Sequence, residues 1–180
     1  MRGKRWGVAL SGVLAIGGLL VFSAPTAHAQ SSNDDGTGAV TSEFRGSLTG
    51  DFSTVAPPPS LTLTDSVSGQ ATVIGKVTGS FTVTIDFNHP VADGFVLVSK
   101  TGSLVAADGD RVDLAMVGTF NVTTFDVHYV FVVTGGTGRF NGATGIGTWH
   151  VPPPAVFNPA TGNGSGSEFF DGVITLPQQG

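Results

Sequence analysis

The sequence predicts an all-β fold closed into an antiparallel barrel, and three observations carry that reading. From Thr41 onward apolar residues recur with a period of two. Glycine and proline supply 27 and 10 of the 180 residues, and no apolar 3.6-residue period persists over a helix-length window outside the N-terminal leader. Residues 130–147, VFVVTGGTGRFNGATGIG, read as a strand, a turn built on Gly135, Gly136 and Gly138, and a second extended run.

The chain starts with a targeting segment. Arg2, Lys4 and Arg5 precede a short apolar stretch over 7–22, and Ala27-His28-Ala29 supplies a small-x-small cleavage site before Gln30. Residues 1–29 therefore read as a bacterial Sec-type signal peptide, cleaved after Ala29, with a secreted or periplasmic product. The stretch is short for a stable span and no second one follows, so no membrane association is expected after cleavage. Residues 30–40 form a polar, disordered lead-in, and residues 41–180 form one domain.

The leader holds three of the eight basic residues and none of the thirteen acidic ones. The remainder then carries five positive against thirteen negative charges, a net −8. Such a surface repels phosphate backbones, which argues against nucleic acid as a partner. The cysteine-free composition excludes a disulfide framework, thiol catalysis and cysteine-ligated metals.

Taken in order, residues 43–52 place Phe44, Leu48 and Phe52 on one face and Glu43, Arg45 and Asp51 on the other. Residues 70–87 alternate throughout except at Ile74 and read as one long strand, bulged or bent at Gly75 and Gly79. Strands over 95–105 and 110–122 flank the turn Ala107-Asp108-Gly109. Strands over 125–133, 143–151 and 168–176 complete the set. The pattern Gly-[Ser/Thr]-aromatic-x-Val recurs from Gly79, Gly118 and Gly147, placing a glycine beside an aromatic where strands of a closed barrel pass closely. The proline-rich segments 56–60 and 152–159 cannot be central strands and read as rim loops; the second, running on to Gly166, is long enough for a lid.

At Thr134-Gly135-Gly136-Thr137-Gly138-Arg139-Phe140, followed by Asn141-Gly142-Ala143-Thr144-Gly145, the chain resembles the allene oxide cyclase and dirigent barrel superfamily. Gly109-Asp110-Arg111-Val112-Asp113-Leu114 resembles the strand that precedes this turn in dirigent-like sequences. The resemblance covers about residues 94–150, with 169–176 as a closing strand. It implies a calycin-like, up-and-down barrel of about eight strands with a central pocket, often oligomeric. Relatives include cyclases and proteins that steer radical coupling. No family catalytic set can be matched residue by residue.

The glycine-rich turn lacks the lysine and following helix of a phosphate loop. His89, His128 and His150 lie on different elements without a ligand-presetting spacing, and the acidic pairs at Asp34-Asp35 and Asp108-Gly109-Asp110 lack further oxygen ligands. Neither a metal nor another cofactor is expected. Asp126 and His128 share a strand face, a carboxylate placed to orient an imidazole, and with Tyr129 form the catalytic candidates. The opposite face, with Phe125, Val127, Tyr129, Phe131 and Val133, is the more apolar and the inward one, which leaves Asp126 and His128 solvated. Arg111 and Asp113 read as a surface ion pair. The candidate ligand-lining residues are Phe81, Phe120, Tyr129, Phe131 and Trp149. Three functional readings follow: an exported barrel binding a small hydrophobic ligand in its interior, a cyclase or isomerase acting by substrate orientation, or an extracellular association protein, with a homo-oligomer compatible with each.

Overall fold

The computed structural model describes residues 38–153, 156–158 and 163–178. The expected signal peptide and residues 30–37 of the lead-in lie outside the described residues. Among the described residues nine strands run β1 (Val40–Ala56), β2 (Ser60–Ala71), β3 (Gly75–Ala92), β4 (Phe95–Ala106), β5 (Arg111–Asn121), β6 (Val127–Gly136), β7 (Thr144–Val151), β8 (Val156–Asn158) and β9 (Asn163–Leu176). Each is antiparallel to its neighbours in the order β1-β2-β3-β4-β5-β6-β7-β9, and β9 returns to β1 from Val40↔Leu176 to Ser53↔Asn163. Eight strands thus close a barrel, as the alternation and the glycine turn imply. The three-residue β8 continues the sheet beside the start of β9, where β7 has already ended. Among the described residues no helix is long and apolar enough to cross a membrane.

The run 70–87 is not one strand. Ala71 ends β2, Gly75 opens β3, and the two pair across the turn between them. Val73 (φ 66°) and Gly75 (φ 84°) take left-handed conformations there, and Ile74, the residue that broke the alternation, turns back to be buried at the barrel end. Strand β2 escapes sequence reading because Asp65 occupies an inward position between Leu63 and Val67, interrupting the apolar face.

The three recurrent glycines sit where their neighbours leave no room. A Cβ on Gly79 would lie 2.7 Å from the Ser103 carbonyl oxygen; on Gly147 it would strike the Asp171 carbonyl, and on Gly118 the His128 carbonyl. The obstruction at Gly118 is backbone, which cannot rotate away. Gly118→Ala is therefore expected to destabilise the barrel by about 2 kcal/mol, measurable by denaturant titration.

One barrel end is sealed. The turn after β6 forms a short 3-10 segment, Gly138–Phe140, that inserts the fully buried Phe140. Gly138 (φ 58°) is held against Asp110, whose carboxylate accepts the Arg139 backbone N–H at 3.1 Å, while Arg139 Nη1 donates to Asp108 at 2.8 Å. Two turns thereby lock into one plug. Above it Phe44, Phe131 and Phe170 interlock, with centroids 4.8–6.2 Å apart. The outer wall carries a band of exposed apolar residues at paired positions: Val117 opposite Val130, Val132 opposite Ile146, and Ile146 opposite Val173.

Candidate functional site

The other half of the interior is open. A cavity of about 620 Å³ begins at the end bearing the β1–β2, β3–β4 and β5–β6 connections. Its mouth is formed by Pro57, Pro58, Phe87 and Phe125, and its walls by aliphatic residues such as Leu63, Val83, Ile85 and Val98. Phe120 bridges wall and mouth, edge-on to Phe87 and Phe125 at 6.5 and 5.9 Å. The volume is that of pockets which enclose small organic ligands. The wall is apolar because strand alternation sends valine, leucine, isoleucine and phenylalanine inward from strands β1 to β7.

The cavity floor is ionic. Lys100 on β4, Asp65 on β2 and Glu168 on β9 are 1–2 % exposed. Lys100 Nζ lies 2.5 Å from Asp65 Oδ2 and 2.6 Å from Glu168 Oε2. Trp149 Nε1 donates to the same Glu168 oxygen at 2.6 Å. The ammonium also stands 4.7 Å from the Phe81 ring centre and 4.6 Å from that of Trp149, so two aromatic faces complete its shell. Trp149 in turn stacks on Phe170 at 4.9 Å. A buried ion is tolerated only with such complete partnering.

Asp65 Oδ1 is the exception, buried without a hydrogen-bond partner. It and Glu168 Oε1 both approach Gly50, where a side chain would collide with them. Two carboxylates around one ammonium leave a net negative charge in an apolar interior, and one proton relieves it. Burial raises the Asp65 pKa to about 7; Lys100 opposes the rise, while the neighbouring Glu168 charge adds to it. A proton on Asp65 Oδ1 would give the orphaned atom a donor towards Glu168. Tyr129 lines the same cavity, and burial, followed by the Glu168 and Asp65 charges, pushes its phenol well up, so it stays a neutral hydroxyl.

The residues singled out in the sequence separate into four places. Phe120 and Tyr129 line the cavity, and Phe81, Phe131 and Trp149 pack in the core, with Phe81 and Trp149 holding Lys100 from beneath. Gly135, Gly136 and Gly138 build the sealed end. Asp126 and His128 lie on the outer wall, in contact at 3.1 Å. The histidine spacing along the chain concealed a pairing: β6 and β7 set His128 opposite His150, and Asp126 binds both rings. Arg111 and Asp113 form the expected surface pair at 2.8 Å.

Sequence reasoning missed Asp65, Lys100 and Glu168. The signal was present, since each is an ionisable residue on the inward register of its strand, but it required the correct strand boundaries.

No family model matches the chain, and no curated protein matches it. Among solved structures, the pterocarpan synthase dirigent protein is similar over 83 % of this chain and 90 % of that one, with 13 % identity and a TM-score of 0.45.

Proposed function

We propose that the barrel, exported and freed of its leader, binds one largely apolar small molecule whose single polar group faces Asp65, Lys100 and Glu168. The observation that supports this reading most is the union of a 620 Å³ aliphatic and aromatic cavity with an ionic floor carrying an orphaned acceptor. An apolar body gains by leaving water, roughly 25 cal/mol per Å² buried, while a hydroxyl on it could donate to the orphaned acceptor of the floor. Mouth residues Phe87, Phe120 and Phe125 would close over the far end.

A second reading, an isomerase or cyclase, is favoured by one specific feature: Asp65 with a pKa of about 7 is a competent proton donor at neutral pH. The cavity would fold the substrate and exclude water, Asp65 would protonate a developing oxyanion, and the Tyr129 hydroxyl would orient it.

Titration with the neutral fluorophore N-phenyl-1-naphthylamine tests the binding reading. Saturable emission enhancement at one equivalent is expected, and Val83→Trp, which fills the cavity, should abolish it while the melting transition persists. Absence of saturable binding in the parent protein overturns the proposal. Native mass spectrometry of protein purified from its own host would then identify the natural occupant.

A further inference from the structure

We propose that Asp126, His128 and His150 form a binding site for one divalent transition-metal ion of the zinc–copper type on the outer wall of the barrel. The three side chains come from the β5–β6 connection, β6 and β7, and their donor atoms all lie within 4.8 Å of one another. His128 and His150 are directly opposed across the β6–β7 ladder, with rings stacked at 4.1 Å and 12°. Each presents Nε2 to the same carboxylate: His128 to Oδ2 at 3.1 Å and His150 to Oδ1 at 2.7 Å.

Three donors converging from three segments on one point is the arrangement that a metal needs and that a lone surface hydrogen bond does not. An ion centred among atoms 4.8 Å apart stands less than about 3 Å from each. Side-chain rotations of about an ångström then bring the donors to the roughly 2.0–2.2 Å of zinc–imidazole and zinc–carboxylate bonds. Coordination through Nε2 requires each ring to carry its hydrogen on Nδ1, leaving the Nε2 lone pair for the metal. Two imidazoles with one carboxylate select zinc, copper or nickel over calcium and magnesium, which prefer all-oxygen shells. Copper binds such donors most tightly among the divalent first-row ions. The remaining coordination positions open to solvent, because the side chains of His128 and His150 are 59 % and 39 % exposed.

The site lies against the cavity wall. Val127 and Val151, which adjoin His128 and His150 in sequence, point inward and line the pocket, and Phe125 before Asp126 stands at its mouth. A bound ion would pin the β5–β6 connection to β6 and β7, fixing that side of the mouth.

Isothermal titration of the chelator-treated, untagged protein with zinc chloride tests the inference. One equivalent is expected to bind, with a raised melting temperature. His128→Ala and His150→Ala should each weaken binding by about tenfold or more, since even an outer partner of a metal ligand contributes that much. His128→Gln and His150→Gln preserve a polar surface and should lose binding likewise. His89→Ala, which removes the imidazole paired with Asp86, should leave it unchanged. Cupric ion should give a paramagnetic resonance signal with coupling to two nitrogens. Absence of saturable zinc binding, or binding undiminished in the His128→Ala/His150→Ala double variant, overturns the proposal.

Discussion

Lys100→Met is expected to lower the unfolding free energy by about 3–5 kcal/mol at neutral pH, the usual consequence of leaving buried charge without its partner. Lys100 Nζ contacts Asp65 and Glu168 at 2.5 and 2.6 Å and is almost wholly buried at the cavity floor. Methionine fills nearly the same volume and retains contact with Phe81 and Trp149, so packing is conserved while the charge disappears. Two carboxyl groups then face each other in an apolar interior, and taking up protons from neutral solution is itself unfavourable. Denaturant titration reads the loss as a lower midpoint with an unchanged slope. Adding Asp65→Val and Glu168→Gln to Lys100→Met should recover most of it, because the charge is gone and the introduced amide oxygen still accepts from Trp149. A ligand that uses the ionic floor should bind the recovered variant poorly, separating the network's part in stability from its part in recognition. Unchanged stability of Lys100→Met would show that the ammonium does not hold the floor together.

The outer architecture was legible because it depends on one repeating rule. Phe44 and Leu48 on β1, or Tyr129, Phe131 and Val133 on β6, alternate with solvated neighbours, and the buried members face the barrel interior as that rule requires. The close-approach glycines were legible for the same reason: an aromatic side chain beside a crossing strand leaves no space for a Cβ, as at Gly147 against Phe131. Two things were not. Strand β2 was hidden because alternation marks an inward position only when the residue is apolar, and Asp65 is not. The split of 70–87 was hidden because a single break at Ile74 is the only mark of the turn, which passes through Val73, a β-branched residue that rarely adopts positive φ. The first failure falls at the site itself, where charge interrupts the pattern that defines the walls, and the second at the sealed end, where Arg139 donates to the Ile74 carbonyl. The His128–His150 pairing was hidden differently, since residues 22 apart become neighbours only through a cross-strand register.

Stability is expected to fall as pH rises from about 4 to about 8, by an amount on the order of 4 kcal/mol attributable to Asp65. The unfolded chain releases the Asp65 proton near the ordinary value of 3.8, whereas the barrel releases it near 7. Below the first value both states hold the proton and the contribution is fully present. Between the two the folded state alone retains it, so each unit of pH lowers the advantage of folding, and above the second the contribution is lost. Asp86 and Asp126 behave oppositely. Hydrogen bonds involving Asn88 and His89 hold Asp86 low, and at Asp126 those from His150 and His128 outweigh burial. Their contributions are lost only as pH falls below the ordinary carboxylate range, outside the Asp65 interval. Asp65→Asn isolates the effect: its amide can donate towards Glu168 and its oxygen can accept from Lys100, copying the protonated acid at every pH. Unfolding free energies measured at about pH 5 and about pH 8 should therefore converge for Asp65→Asn, with the variant more stable than the parent at the higher pH. Parallel profiles for the two proteins would mean that the floor carries no shared proton. If the barrel catalyses an isomerisation, its rate should decline as pH rises through about 7 and vanish in Asp65→Asn while binding of the neutral fluorophore persists, because the proton that steadies the empty floor would be the one transferred to substrate.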